Sequence, residues 1–179
     1  MPDKKKPYRW RAYLDDFQMD ADGKYIYTGK RYAFGGEPRA RTIYLVKIVL
    51  FALLALLSTV APECLPPTDI SRTPVTLIPW ALQLIAALVT GWAVGRIFAH
   101  ATELRAYVYR ATVASLPVKS LILAALSGVT LTAEVVFFLI KRLSPDGFTL
   151  ARLICPAVSL AAALLLFYTV RRGRWDELP

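Results

Sequence analysis

The chain has 179 residues, 56% of them hydrophobic, and a formal net charge of +9. Its apolar residues form long blocks instead of short alternations, which excludes a single soluble domain and is typical of an integral membrane protein. The positive charge would also suit nucleic acid, but binding nucleic acid needs a larger folded basic face than this chain has, so nucleic acid is excluded as a partner.

Residues 1–41 form a hydrophilic N-terminal segment that is too short and too poor in aliphatic residues to bury its own core. An Asp22-Gly23 turn signal precedes alternating aromatic residues, which predicts a short β-hairpin. Its predicted cytoplasmic contact surface consists of Tyr25, Tyr27, Tyr32 and Phe34. We expect so small a hairpin to need support from the membrane, a loop or a partner chain. The basic and aromatic residues within 3–13 predict contact with anionic lipid headgroups.

Four apolar stretches are long enough to cross about 30 Å of hydrocarbon, which takes roughly 20 helical residues. They cover residues 43–61, 75–98, 118–140 and 150–170. The predicted fold is therefore an all-α, antiparallel four-helix transmembrane bundle over residues 42–171, followed by a short cytoplasmic tail, residues 172–179. Because no helix breaker follows the second stretch until Pro117, its helix is predicted to continue two or more turns past the membrane.

The distribution of basic residues predicts the orientation. Of the 22 Lys and Arg residues, 17 lie in the N-terminal segment, the loop between the second and third spans, and the tail, whereas four lie on the other side. Segments rich in Lys and Arg remain in the cytoplasm. Both termini of this multi-pass protein are therefore predicted to lie on the cytoplasmic side of the cell membrane. The remaining cation, Lys47, lies within the first span, from which its long side chain can reach the headgroups.

The third span carries one polar stripe. Five residues fall within an arc of about 80° on an ideal helix, namely Ser120, Ser127, Thr130, Glu134 and Lys141. Because a carboxylate in lipid is costly, the stripe must face protein or water. Two interpretations of Glu134 stay open. It is either a proton-titrating group in a transport path, or a hydrogen-bonding group that stabilises the bundle with Arg152 or Lys141 as its ion-pair partner.

Small residues recur at every fourth position of the second span, as Ala87, Gly91, Gly95 and Ala99. Such a ridge allows another helix to approach closely. The approaching helix belongs either to the same chain or to a second copy.

The sequence contains little from which to build a catalytic site. It has one His, no paired carboxylates within a span and no cluster of metal ligands. Cys64 and Cys155 lack the spacing of a thiol oxidoreductase, and whether they pair is left open. We therefore expect no enzymatic activity, no cofactor and no metal.

An acidic-Phe pair, an Asp-Gly turn and a Tyr-x-Tyr-x-Gly pattern precede the four spans, at Asp15, Asp16, Phe17, Asp22, Gly23, Tyr25, Tyr27 and Gly29. This arrangement resembles a group of small, uncharacterised bacterial membrane proteins. The resemblance covers mainly the first forty residues. It implies a bacterial cytoplasmic membrane and no particular activity.

Two functions fit these observations. The first is a non-catalytic accessory, scaffold or assembly component of a membrane complex, whose cytoplasmic segment binds a protein partner or a second copy. The alternative is a small proton- or ion-coupled transporter that uses Glu134 as its coupling acid. Four spans per chain are few for a transport pathway, so the alternative requires an oligomer.

Overall fold

The computed structural model of the chain describes residues 17–19, 25–66, 73–100, 103–143 and 146–178. Four of its helices are long and apolar enough to cross a membrane, as predicted from the apolar stretches. Their bounds are Pro38–Val60 (α1), Pro74–Ala99 (α2), Leu116–Lys141 (α4) and Gly147–Arg172 (α5). A short 3-10 helix, Ala61–Cys64, extends α1, and a six-residue helix, Ala106–Ala111 (α3), precedes α4.

The ends of these helices follow from local chemistry. Proline occupies the first turn of α1, α2 and α4, where a missing N–H costs no helical hydrogen bond. Asp146 caps α5 by accepting a hydrogen bond from the Thr149 backbone N–H at 2.9 Å. The hydrogen bonds from Thr149 also hold the pKa of Asp146 below its usual value. Arg142 ends α4 in the left-handed conformation, with φ 48°.

The four long helices pack as a ring in the order α1, α2, α4, α5, with α5 returning to α1. Helices α1 and α5 run antiparallel, because Tyr44 near the start of α1 packs on Trp175 after α5, while Glu63 after α1 pairs with Arg152 near the start of α5. Buried aliphatic residues such as Ile48, Ile97 and Leu166 fill one end of the ring, and small residues such as Ala55, Ala162 and Ala163 fill its middle.

Within the described residues, five short strands accompany the bundle. They are Phe17–Met19 (β1), Tyr25–Tyr27 (β2), Arg31–Phe34 (β3), Leu104–Arg105 (β4) and Trp175–Leu178 (β5). Strands β1 and β2 pair antiparallel, with Phe17 opposite Tyr27, as the predicted hairpin requires. The Asp22-Gly23 turn between them and the basic cluster within residues 3–13 lie outside the described residues.

Strand β3 does not return to β2. It is the central strand of a second sheet, with β4 on one side and β5 on the other, both antiparallel to it. This sheet joins the N-terminal segment, the α2–α4 connection and the C-terminal tail at one end of the bundle, which we call the sheet end. The end that carries Glu63 and Arg152 is called the opposite end.

The predicted extension of the second helix is wrong. Helix α2 ends at Ala99, and the chain re-enters the fold at Leu104, whose side chain is fully buried. Pairing with β3 satisfies the backbone of β4, and the Ala106 N–H donates to the Lys30 carbonyl at 2.9 Å. These long-range bonds, together with the burial of Leu104, outweigh the helical propensity of the segment.

Candidate functional site

The polar stripe of α4 faces the interior of the bundle along most of its length. Ser120, Ser127, Thr130 and Glu134 are all buried, as a stripe that must avoid lipid requires. Lys141, the fifth residue, is exposed at the opposite end. The stripe therefore contributes four residues to the interior, and Lys141 is not one of them.

A chain of side-chain hydrogen bonds starts from this stripe and crosses all four long helices. Ser127 of α4 is 3.0 Å from Ser159 of α5, measured between their Oγ atoms. Ser159 Oγ lies 3.3 Å from Oγ1 of Thr59 on α1. Thr59 Oγ1 in turn accepts a hydrogen bond from Gln83 Nε2 of α2 at 3.0 Å. We call these four residues, Thr59, Gln83, Ser127 and Ser159, the polar bridge.

The surroundings reinforce the polar bridge. Each of its four members is at least 99% buried, so their hydrogen bonds do not compete with water. The indole N–H of Trp80 donates to the Thr59 carbonyl at 3.0 Å, which ties α2 to α1 a second time. In a low-dielectric interior, polar groups with satisfied partners favour one arrangement of the helices over others.

Glu134 lies beside the polar bridge and not within it. It borders a cavity of about 10 Å³ whose other walls include Thr59, Gln83 and Thr130. This volume is about one water-sized probe, the minimum needed to hold one water molecule. Among the described residues, Glu134 Oε2 and Gln83 Oε1 are both buried without a hydrogen-bond partner. A water molecule in this cavity would supply the hydrogen-bond donors that buried oxygens need.

Arg152 is not the ion-pair partner of Glu134, which corrects the prediction. Its Nη1 atom donates to Glu63 Oε1 at 2.8 Å, and its side chain is almost fully buried. The 3-10 helix after α1 carries Glu63 into this position. Glu134 remains close enough to Arg152 for their charges to attract. Within the described part of the chain, Glu134 forms no ion pair with Arg152 or with Lys141.

The small-residue ridge of α2 faces outward over most of its length. Ala87 is buried, but Gly95 and Ala99 are exposed and Gly91 is half-buried. A Cβ atom added to Gly91 or Gly95 would meet nothing within 4 Å. An open groove of about 450 Å³ follows the ridge, with Trp92 and Leu56 among its walls. In the part of the chain that the structure describes, neither glycine is needed for helix packing.

The predicted aromatic contact surface is mostly internal packing. Tyr27 is buried, and its hydroxyl donates to the Lys30 carbonyl at 3.1 Å and accepts from the Ala106 N–H at 3.0 Å. Tyr32 stacks on Tyr109 with ring centroids 4.2 Å apart. Phe34 packs edge-on against Trp175, with centroids 5.8 Å apart. Tyr25 is 72% exposed, so it is the member of the set that can meet a partner.

Ion pairs support the sheet end from outside. Lys30 Nζ is 2.7 Å from Glu177 Oε1, and Arg31 Nη1 is 3.3 Å from Glu103 Oε2. The hydrogen bond with Glu177 raises the pKa of Lys30. All four side chains are substantially exposed, so these pairs orient the strands more than they stabilise them.

The structure brings together several residues that were not predicted as site residues from the sequence. Thr59, Gln83 and Ser159 were each visible as a polar residue inside an apolar span, which is a signal for interior contacts. The sequence does not show which of them are in contact, because their partners lie on other helices. Cys64 and Cys155 are free thiols. Among the described residues, no three His, Cys, Asp or Glu side chains are grouped so as to hold a metal ion.

Comparison with known proteins adds no relative to this picture. The chain matches no protein-family model, no curated protein and no solved structure.

Proposed function

We propose that the protein is a multi-pass component of the cell membrane that acts as a non-catalytic scaffold or accessory subunit of a membrane complex. Its outer surface supports membrane insertion, because all four long helices expose large apolar side chains, such as Leu57, Ile85, Ile140 and Ile154. Soluble proteins rarely expose apolar surface on that scale.

The sheet end is proposed to lie in the cytoplasm with both termini. The three segments that meet there are the ones that hold 17 of the 22 basic residues. Basic segments are retained on the cytoplasmic side during insertion. The sheet would then give a partner one surface on the cytoplasmic side, with Tyr25 exposed beside it.

The polar bridge is the observation that carries the scaffold proposal. It connects all four long helices through consecutive hydrogen bonds. The cavity beside it, about 10 Å³, has room for one water molecule and not for a larger solute. A transporter must separate or tilt its helices to alternate access, and such a movement would break these bonds. The interior therefore suits a protein that keeps one shape.

The ridge of α2 is the surface that we propose for a partner helix. Close helix contacts in membranes form at glycines, because a partner backbone can approach where no side chain intervenes. Gly91 and Gly95 leave that space open along a groove of about 450 Å³. The exposed ring of Trp92 stands at the edge of the same groove, where it can cover part of an incoming helix.

Affinity purification of the full chain in mild detergent, followed by mass spectrometry, tests the scaffold proposal. We expect a companion protein in a stoichiometric amount. The double variant Gly91→Leu/Gly95→Leu should lose the companion, because the leucines fill the groove. The control Val129→Leu/Val136→Leu also enlarges two outward-facing residues, on α4, and should retain it. A chain recovered alone, or only as a homodimer, would count against the scaffold.

One observation favours the transporter as the second candidate. In the described part of the chain, Glu134 Oε2, Gln83 Oε1 and Arg152 Nε are all buried without hydrogen-bond partners. Buried unpaired polar groups cost stability, and proteins retain them mostly where they have a function. In the scaffold proposal an ordered water offsets this cost. In the transporter, Glu134 at this cavity would carry the proton. Substitutions of Glu134 distinguish the scaffold from the transporter.

A further inference from the structure

A groove with a cavity of about 380 Å³ opens between α1 and α5 near the sheet end. Its walls come from one face of each helix. Lys47 lies on the α1 side and Arg172 on the α5 side, so two cations border the same space. Neither belongs to the polar bridge or to the ridge of α2.

The two cations have no acidic partner among the described residues. Two acids of the sheet end, Glu177 and Glu103, already pair with Lys30 and Arg31. In the part of the chain that the structure describes, Lys47 and Arg172 form no ion pair, and no acidic residue lines the groove. The groove therefore presents a net positive charge with unused hydrogen-bond donors.

The rest of the groove is apolar and runs away from the sheet end. Ile43 and Phe51 line it on α1, and Leu165 lines it on α5. At about 1.5 Å per residue, Phe51 lies roughly 6 Å deeper along the helix than Lys47. Tyr168 stands beside the charged end, with its ring 5.1 Å from the Arg172 guanidinium carbon, which holds that cation against the wall.

We propose that this groove binds one anionic phospholipid, with its phosphate between Lys47 and Arg172 and an acyl chain along Ile43, Phe51 and Leu165. The inference rests on the membrane insertion proposed above. Basic pockets between membrane helices are complementary to anionic headgroups. A zwitterionic lipid would bring a cation of its own beside Lys47 and Arg172. Free phosphate would leave the apolar wall uncovered.

Thermal unfolding of the full chain in mild detergent tests the site. The melting temperature is measured without lipid, with phosphatidylglycerol, with phosphatidylcholine and with inorganic phosphate. We expect phosphatidylglycerol to raise the melting temperature more than the other two additions do. Each cation near a membrane surface contributes about fivefold in affinity. Lys47→Gln/Arg172→Gln should therefore need a roughly 30-fold higher concentration of phosphatidylglycerol for the same rise in melting temperature.

The control variant is Arg110→Gln/Arg171→Gln. It removes two exposed cations from the same end of the bundle, outside the groove, and should keep the full response to phosphatidylglycerol. Equal loss in both double variants would mean general attraction to a charged surface and would overturn the site. So would an equal response to phosphatidylcholine or to inorganic phosphate.

A further variant guards against misfolding of the double variant. Leu165 is half-exposed, so Leu165→Trp fills the apolar end of the groove without entering the core. It should weaken the response to phosphatidylglycerol with both cations in place, and an unchanged response would contradict the proposed acyl-chain position. Washing the membranes with carbonate tests insertion separately, because it removes proteins that are only bound to the surface. A protein that stays in the washed membranes but shows no lipid preference would overturn the lipid site and leave the proposed insertion intact.

Discussion

Arg152 of α5 donates a hydrogen bond to Glu63, 89 residues earlier in the chain, with Nη1 and Oε1 2.8 Å apart. The Arg152 side chain is 2% exposed, whereas that of Glu63 is 33% exposed. The pair fastens the 3-10 helix after α1 to the start of α5. Glu134 lies near the same guanidinium group but outside hydrogen-bond contact. Arg152 therefore has one carboxylate bonded to it and a second, unbonded carboxylate nearby.

The first prediction concerns this arrangement. Glu63→Gln removes a charged hydrogen bond and should lower the free energy of unfolding by about 1.5–3 kcal/mol. Glu134→Gln alone should have a small effect, because Arg152 keeps Glu63. In the double variant Arg152 has lost both of these carboxylates, so the loss should exceed the sum of the two single losses by about 0.5–3 kcal/mol. Denaturant unfolding in mild detergent gives the free energy of unfolding of the wild type and the three variants. Simple additivity of the losses would show that Glu134 does not replace Glu63 as the carboxylate beside Arg152.

The second prediction concerns the polar bridge. Thr59→Val keeps the shape of the side chain but removes the hydroxyl that contacts Gln83 and Ser159. At about 0.6 kcal/mol for an average side-chain hydrogen bond in a membrane, the free energy of unfolding should fall by about 1 kcal/mol. Thr132→Val is the matched control, because the exposed Thr132 hydroxyl bonds only within α4, to the Gly128 carbonyl at 2.8 Å. Equal effects of the two substitutions would mean that the bridge does not stabilise the bundle.

The third prediction compares two glycines. A Cβ atom on Gly173 would lie 2.7 Å from Cε2 of the buried Tyr44 ring, so Gly173→Ala should displace β5 and cost about 1–3 kcal/mol. A Cβ atom on Gly128, inside α4, would meet nothing within 4 Å. Gly128→Ala should therefore stabilise the protein by about 0.4–1 kcal/mol. Thermal unfolding should give shifts of opposite sign, and a stable Gly173→Ala protein would show that the sheet end is loosely packed.

The fourth prediction is orientation. A reporter fused after Pro179 should be active in the cytoplasm, and one inserted at Thr68 should be active outside, because 17 basic residues flank one side and four the other. Each position is fused to two reporters in turn, one that is active only in the cytoplasm and one that is active only outside. Export of the reporter after Pro179 would overturn the proposed topology.

The four long helices were predictable because each depends on a local property, an apolar run of sufficient length. The predicted span 75–98 and the observed Pro74–Ala99 differ by one residue at each end. The first helix begins earlier than predicted, at Pro38, because proline is favoured in the first turn of a helix and no helix breaker separates it from the apolar run.

The sheet was predictable only in part. The β1–β2 hairpin is local and has a turn signal, whereas β4 is two residues long and pairs with a strand more than seventy residues away. No local pattern distinguishes Leu104 from a helical residue, and its burial depends on where β3 lies. Tyr32 and Phe34 were predicted to belong to a contact surface for the same reason, since Tyr109 and Trp175, which cover them, belong to distant segments.

The candidate site shows the same division. Burial of Ser127, Thr130 and Glu134 follows from helical geometry and the cost of polar groups in lipid. The partner of Arg152 does not follow from it. Glu63 belongs to a proline-rich segment without a helical pattern, and only the 3-10 turn brings its carboxylate to α5.

The central claim is that Glu134 belongs to a fixed interior and not to a proton path. Glu134→Gln keeps the size and polarity of the side chain and removes its ability to ionise. The most direct test is whether this variant restores the phenotype of a strain that lacks the chain, when its melting temperature in detergent matches that of the wild type. We expect full restoration. A protein of unchanged stability that fails to restore the phenotype would contradict the scaffold and favour the transporter.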